Sequence, residues 1–320
     1  MTARDFINNK LVALACIVFL LLILSACSGG GDGGNPKLPE PPGDTCGPTS
    51  YLVNGACQTF AEQIDARATT AFVENGQPVS LEIVLFKPLQ RGRFPIVVFN
   101  HGSTGNGSDP SLFGLTFTSK TITRYFVEKG WMVAFPQRRG RGKSDGLYDE
   151  GFKLDRSSYS CDEALALGGA DHALDDLDAI TDWIRNRDDV DTTRMLIGGT
   201  SRGGILSVAF VARRPDVYLG AINFVGGWLA EGCGDHRSVN RALFVAGAAF
   251  PGSSLWLYGV NDSFYKLAYS RGNFDAYRTA GGLGQFHELT RAPGLNGHFV
   301  INDLPLWEPE MDSYLNQLLP

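Results

Sequence analysis

The segment Arg194-Met-Leu-Ile-Gly-Gly-Thr-Ser-Arg-Gly-Gly204 decides the fold. Its apolar start predicts a strand buried on both faces, and the residues that follow, as far as Arg214, predict a helix. Between them Gly199-Thr-Ser-Arg-Gly203 fits the G-x-S-x-G pattern, in which a tight, strained turn lifts a serine hydroxyl to the head of a helix. Ser201 is therefore a candidate nucleophile. The alternative is a glycine-rich turn that contains a serine by chance.

Short apolar runs alternate with helical stretches on both sides of this segment. The runs predicted as strands are 95–100, 131–135, 194–198, 219–225, 254–258 and 285–289, and the other predicted helices are 119–129, 162–187, 264–280 and 306–319. Strands alternating with helices indicate an α/β fold with a mostly parallel central sheet flanked by helices. The alternating pattern of residues 77–87 predicts an antiparallel strand at the start of that sheet. At Gly168-Gly169 the predicted helix 162–187 could bend or split.

A serine hydroxyl needs a base to take its proton and a carboxylate to orient that base. Asp262 follows the predicted strand 254–258, at the sheet edge where α/β ligand sites form. It is the candidate acid, and the alternative is an N-cap of the next helix. His287 and His298 both lie beyond it. We favour His298 as the base, because a residue in a glycine-rich loop can reach the serine and one inside a strand cannot.

The turn Asn100-His-Gly-Ser103 follows the predicted strand 95–100. Backbone N–H groups of Ser103, or of Thr104, and of Arg202 are candidates for an oxyanion hole, which stabilises the negative oxygen of an acyl-transfer intermediate. His101 is interpreted as a structural residue that holds this turn.

A run of four cations, Arg138, Arg139, Arg141 and Lys143, lies beside the predicted site. Two interpretations stay open, a solvated loop packed through its glycines and a site that binds an anionic group of the substrate. Only about 29 residues separate the strand ending at Val225 from the next one, at Ser254. A large lid is therefore not expected.

Composition excludes several classes of protein. The chain has 320 residues, 43% of them hydrophobic and 19% charged, an ordinary globular mixture that argues against a disordered or collagenous chain. The net charge of −6 argues against a nucleic-acid partner, because a sequence-blind nucleic-acid binder needs a basic face.

The first 26 residues have the pattern of a signal peptide. A cationic start precedes the apolar stretch 11–24, whose 14 residues are too few to span a membrane. The sequence Leu24-Ser-Ala-Cys27 resembles a bacterial lipobox. The resemblance implies cleavage before Cys27, its lipidation, and a membrane anchor at the periplasmic face of the outer membrane. Residues 27–43, rich in glycine and proline, then form a tether. The alternative is an ordinary signal peptide with a fortuitous cysteine.

Four further cysteines remain after the leader and Cys27. An even number of cysteines in an exported chain favours disulfides, and we pair Cys46 with Cys57 and Cys161 with Cys233. The first pair would staple a small segment, 44–65, ahead of a main domain at 66–320. Zinc is the alternative ligand of four thiols, but no CxxC spacing is present.

Taken together, these motifs resemble the α/β-hydrolase superfamily, and in particular its dienelactone hydrolase-like branch. The resemblance rests on Asn100-His-Gly-Ser103, the loop 137–146, Gly199-Thr-Ser-Arg-Gly203, Tyr258-Gly-Val-Asn-Asp262 and Gly297-His-Phe299. Dienelactone hydrolase itself has a cysteine nucleophile. Because this chain has a serine, Ser201, at that position, it is more similar to serine esterases and acyl-peptidases.

The sequence thus predicts a lipid-anchored serine hydrolase that cleaves a carboxylic ester of small size through an acyl-enzyme. Neither a metal nor an organic cofactor is expected. A peptidase or amidase that resembles the dipeptidyl peptidases is the first alternative, because the same triad cleaves amides, and an acyltransferase is the second. A lipoprotein that uses the fold only for binding is the non-enzymatic alternative.

Overall fold

A computed structural model of the protein describes residues 46–319. The predicted leader, Cys27 and the tether lie outside the described residues. Within them is one eight-stranded sheet of order β10-β9-β8-β7-β5-β6-β4-β3, beside a two-stranded hairpin of β1 and β2. The strands are β1 Ser50–Val53, β2 Ala56–Thr59, β3 Ala61–Glu74, β4 Gln77–Pro88, β5 Phe94–Asn100, β6 Met132–Pro136, β7 Val190–Thr200, β8 Gly220–Phe224, β9 Ser253–Gly259 and β10 Leu283–Leu289.

The six strands from β5 to β10 run parallel, and β4 pairs antiparallel with both β3 and β6. In the middle of the sheet Val97 of β5 is in register with Leu196 of β7 and with Val133 of β6. All three are fully buried, as residues of a sheet covered on both faces must be. The predicted mostly parallel sheet with an antiparallel start is confirmed.

Six α-helices connect and flank these strands in the described part of the chain. They are α1 Lys120–Glu128, α2 Glu163–Arg185, α3 Arg202–Val211, α4 His236–Ala246, α5 Leu267–Thr279 and α6 Leu304–Leu318. None of them is long and apolar enough to cross a membrane. Between β8 and β9 the chain forms α4 and one 3₁₀ turn, a connection that the sequence analysis left without an element.

The structure differs from the sequence expectation at two further places. Helix α2 is continuous through Gly168 and Gly169, so the helix is not split at these glycines. A Cβ at Gly169 would lie 2.0 Å from the backbone nitrogen of Gly151, so this glycine allows a loop to approach the helix. Strand β3, which was not predicted, runs across residues 65 and 66, where the boundary between the stapled segment and the main domain was expected.

Candidate active site

Ser201 lies between β7 and α3, at the point where the central strand turns into a helix. Its backbone has φ 55° and ψ −123°, in the left-handed half of conformational space that costs a non-glycine residue about 1–3 kcal/mol. The turn is also crowded, because a Cβ at Gly203 would lie 2.2 Å from the carbonyl oxygen of Asn100. The strained strand–turn–helix geometry that the G-x-S-x-G pattern predicts is therefore present.

Asp262 follows β9 and is 5% exposed. One carboxylate oxygen, Oδ1, accepts the backbone N–H groups of Phe264 at 2.7 Å and Tyr265 at 3.0 Å. The other, Oδ2, lies 2.9 Å from Nδ1 of His298. One oxygen thus caps the turn that follows and the other holds the histidine, whereas the N-cap of the next helix is Lys266, so the N-cap interpretation of Asp262 is wrong.

His298 belongs to the 3₁₀ helix Gly297–Asn302 and is buried. Its ring centroid lies 4.5 Å from that of Phe264 and 5.6 Å from that of Tyr265. The Tyr265 hydroxyl donates to the Gly227 carbonyl oxygen at 2.8 Å, and the Gly227 N–H donates to the Ser201 carbonyl oxygen at 3.3 Å. Because Tyr265 also contacts the imidazole, Ser201 lies near the Asp262–His298 pair.

His287 lies elsewhere, on the edge strand β10. Its Nδ1 is 3.1 Å from a carboxylate oxygen of Glu310 in α6, and its Nε2 is 3.4 Å from Gln285. A strand fixes the direction of this side chain, and the structure places it against α6. Of the two histidines beyond Asp262, His298 is the one paired with it.

The turn after β5 lies directly beside Ser201. A Cβ at Gly102 would be 3.1 Å from the Cβ of Ser201, so the next residue, Ser103, adjoins the serine. Within residues 46–319, the backbone N–H groups of Ser103 and Arg202 have no hydrogen-bond acceptor. The N–H of Thr104 is donated to the Tyr159 hydroxyl at 3.1 Å. Two unoccupied donors thus flank Ser201, and Thr104, the alternative donor, is already occupied.

His101 is fully buried under this turn. Its Nε2 accepts the backbone N–H of Arg138 at 3.2 Å, and its Nδ1 lies 2.8 Å from the Gly102 carbonyl oxygen. Burial, followed by the charges of Arg138 and Arg141, holds the pKa of His101 well below its usual range. A neutral ring that accepts the Arg138 N–H at Nε2 fits the lowered pKa, and it holds the turn as predicted.

The basic loop is a correction to the sequence analysis. Arg138, Arg139 and Arg141 are at most 7% exposed, so the prediction of a solvated loop is wrong for these three residues. The reason is that each has a partner in the interior: Glu150 lies 2.6 Å from Arg138, and Asp176 lies 2.6 Å from Arg139. Arg141 donates from Nε to the carbonyl oxygen of Phe113 at 3.3 Å. Lys143 does match the prediction, with a side chain that is 72% exposed.

Arg202, the first residue of α3, has a buried side chain whose surroundings the sequence did not predict. Its guanidinium carbon lies 3.7 Å from the ring centre of Tyr159 and 4.3 Å from that of Trp228, so the two rings enclose it. The same guanidinium donates to the carbonyl oxygens of Trp228 at 3.0 Å and Glu150 at 2.9 Å. No short motif encodes this arrangement, because its parts come from the loop before α2, the start of α3 and the segment between β8 and α4.

Both predicted cysteine pairs are joined as disulfides. The Cys46–Cys57 bridge closes the β1–β2 hairpin, and the Cys161–Cys233 bridge joins the residues just before α2 to the loop before α4. The zinc alternative is wrong, because all four thiols are used. Among residues 46–319 the structure has no group of three or more His, Cys, Asp or Glu residues that could hold a metal ion.

Comparison with known proteins gives a partial sequence match and an extensive match of fold. The profile of the prolyl oligopeptidase family matches residues 117–229, which is less than half of the chain. The matched segment includes Ser201 but neither Asp262 nor His298. No curated protein sequence matches significantly.

Solved structures match over most of the chain at low sequence identity. An acylaminoacyl peptidase from Pyrococcus horikoshii is 14% identical with a TM-score of 0.56; the match covers 80% of this chain and 42% of that one. Est1E from Butyrivibrio proteoclasticus, in a structure with bound ferulic acid, is 15% identical with a TM-score of 0.54, over 77% and 98% of the two chains. A candidate dienelactone hydrolase from Klebsiella pneumoniae is 19% identical, covers 80% and 97%, and has a TM-score of 0.49. The first two of these matches confirm the predicted α/β-hydrolase fold.

Proposed function

We propose that this protein with an α/β-hydrolase fold is a serine hydrolase that cleaves a carboxylic ester. The observation that carries the proposal is the buried Asp262–His298 pair beside Ser201, on a turn with the strained geometry of a nucleophile. In this proposal Ser201 is the nucleophile, His298 is the base and Asp262 orients the imidazole.

The reaction has two halves. The Ser201 hydroxyl oxygen attacks the ester carbonyl while Nε2 of His298 takes its proton, and the carbonyl oxygen becomes negative. The Ser103 and Arg202 N–H groups donate to that oxygen. Collapse breaks the bond to the alcohol, which leaves with the proton from His298, and Ser201 is acylated. A water molecule, deprotonated by His298, then releases the acid and restores the serine.

The extent of the structural matches supports an ester rather than a peptide substrate. This chain matches nearly the full length of Est1E but less than half of the acylaminoacyl peptidase. A peptidase remains the second candidate, because the family profile that matches residues 117–229 is that of the prolyl oligopeptidases. The two candidates have the same triad and differ in the leaving group.

Labelling with a fluorophosphonate probe and turnover of p-nitrophenyl esters test the proposal. Ser201→Ala is expected to fold and to lose both labelling and turnover, whereas Ser313→Ala, on the exposed side of α6, serves as the matched control and keeps both. Full labelling of Ser201→Ala would place the nucleophile elsewhere. Aminoacyl-nitroanilides decide between the candidates: faster cleavage of the anilides than of the esters would favour the peptidase.

We further propose that the protein is anchored through a lipid on Cys27 and faces the periplasm. The support is the sequence Leu24-Ser-Ala-Cys27 after an apolar stretch, which lies outside the described residues. Intact-mass analysis of the membrane fraction is expected to show a chain that begins with acylated Cys27, and Cys27→Ser is expected to leave the membrane fraction. An unmodified chain that begins elsewhere would refute the anchor.

A further inference from the structure

Glu150 is a buried carboxylate that none of the proposed catalytic steps uses. It is 2% exposed and lies in the loop between β6 and α2. Its Oε1 accepts from Nε of Arg138 at 2.6 Å, and its Oε2 lies 3.2 Å from the Tyr148 hydroxyl and 3.4 Å from Nη1 of Arg202. Burial alone would raise the pKa of this carboxyl, but Arg138 and Arg202 outweigh burial and lower it. Glu150 is therefore an anion that three side chains share.

Glu150 contacts Arg202, whose backbone N–H is the first proposed oxyanion donor. Arg202 is held by the side chain and by the carbonyl oxygen of Glu150, and its guanidinium is enclosed by Tyr159 and Trp228. The backbone N–H of the same Arg202 is one of the two unoccupied donors beside Ser201. Fixing this side chain therefore fixes the start of α3, where that N–H lies.

Two chains of hydrogen bonds link Glu150 to the residues next to the second donor, Ser103. The Tyr148 hydroxyl, bound to Glu150, is hydrogen-bonded to the Tyr159 hydroxyl, which in turn contacts the N–H and the side-chain oxygen of Thr104. Arg138, also bound to Glu150, donates to the carbonyl oxygen of His101 at 3.1 and 3.2 Å. The residues on both sides of Gly102 and Ser103 are thus tied to Glu150.

We propose that Glu150 is a positioning residue that sets the distance and direction of the Ser103 and Arg202 N–H groups relative to each other. The inference rests on the proposed function, since it concerns the donors of that reaction. Misplacing a catalytic group by about 1 Å can cost about 100-fold in rate. Because both donor segments are bonded to the same carboxylate, Glu150 holds the Ser103 and Arg202 N–H groups at a fixed distance from each other.

The alternative role for Glu150 is to neutralise buried arginines and no more. Asp176 offers the matched comparison, because it is equally buried and pairs with Arg139 of the same loop, yet it contacts neither donor segment. Tyr159 offers a second variant in case Glu150→Gln fails to fold. It is only half-buried, and Tyr159→Phe keeps the ring over Arg202 while removing the hydroxyl from Thr104. Tyr218→Phe, which removes a buried hydroxyl bound to Thr181, is its control.

The experiment measures kcat, KM and the pH profile of ester hydrolysis for these four variants, with circular dichroism as a check on folding. Removal of a whole oxyanion donor costs about 100- to 1,000-fold in kcat. Glu150→Gln and Tyr159→Phe are therefore expected to lower kcat by about 10- to 100-fold, with KM and the pH midpoint unchanged, because binding and the base are untouched. Asp176→Asn and Tyr218→Phe are expected to keep kcat within about threefold.

Each outcome decides a separate point. A folded Glu150→Gln or Tyr159→Phe enzyme with the kcat of its control would overturn the positioning role, as would an equal loss in Asp176→Asn. If Glu150→Gln does not fold, Tyr159→Phe alone gives the answer. A wild-type protein that neither hydrolyses esters nor labels at Ser201 would instead refute the proposed function, and the inference would fall with it.

Discussion

Gly203→Ala is the substitution that most directly tests how the turn at Ser201 is built. The added Cβ would lie 2.2 Å from the carbonyl oxygen of Asn100 and 2.6 Å from that of His101. Carbon–oxygen contacts in proteins are about 3.3–3.6 Å, so the start of α3 and the turn after β5 must separate by about 1 Å. Both partners are backbone atoms, so no side chain can rotate to relieve the contact.

The separation moves Ser201, Arg202 and Ser103 relative to one another. A displacement of about 1 Å at a reacting group costs about 100-fold in rate, so kcat/KM for a p-nitrophenyl ester is expected to fall by about that factor. Stability should fall by about 1–3 kcal/mol, the usual cost of overpacking. Steady-state assays and thermal unfolding measure the two effects separately.

Gly168→Ala is the matched control, because Gly168 also lies inside a helix but has no neighbouring atom within 4 Å of the added Cβ. Replacing an exposed helical glycine by alanine stabilises a protein by about 0.5–1 kcal/mol, and activity should stay unchanged. A Gly203→Ala enzyme with wild-type kcat/KM would refute the argument that this close approach sets the site. So would an equal loss of activity in Gly168→Ala.

Two further predictions concern histidines. His298→Ala is expected to lower kcat by several orders of magnitude. His287→Ala, which loses contacts with Glu310 and Gln285 far from the triad, should keep kcat. Normal turnover without His298 would contradict the assignment. For His101 the pKa is lowered by burial, so below about pH 6.5 the unfolded chain binds a proton that the folded chain does not. The free energy of unfolding should therefore fall with decreasing pH by up to about 1.4 kcal/mol per unit, and His101→Gln, which keeps an acceptor for the Arg138 N–H, should remove that part of the slope in denaturant titrations. Equal slopes for the two proteins would show that His101 does not contribute.

The sequence predicted the sheet because its strands are apolar on both faces, as in 95–100 and 194–198. The segment at Ser201 was predictable for a related reason, since strand, turn and helix are local patterns. Strand β3 was missed because its small and polar residues alternate weakly, and its position comes from pairing with β4. Helix α4 was missed although Val239, Leu243 and Phe244 give it a buried face.

The surroundings of the site were much harder to predict than its motifs. The burial of Arg138 and Arg139 depends on carboxylates 12 and 37 residues away, and nothing in the loop itself identifies them. The position of Glu150 depends on the close approach of Gly151 to Gly169 in α2. The structure brings Ser201, Asp262 and His298 together, and their catalytic roles stay predictions.

The Cys161–Cys233 bridge has a consequence for when the site is complete. Cys161 follows Tyr159 by two residues, and Cys233 follows Trp228 by five. These are the two rings that enclose Arg202. Disulfides form in oxidising compartments and are rare where thiols are kept reduced. In a reducing environment, where this bridge is open, the two rings around Arg202 would lie on two loops that no covalent bond joins.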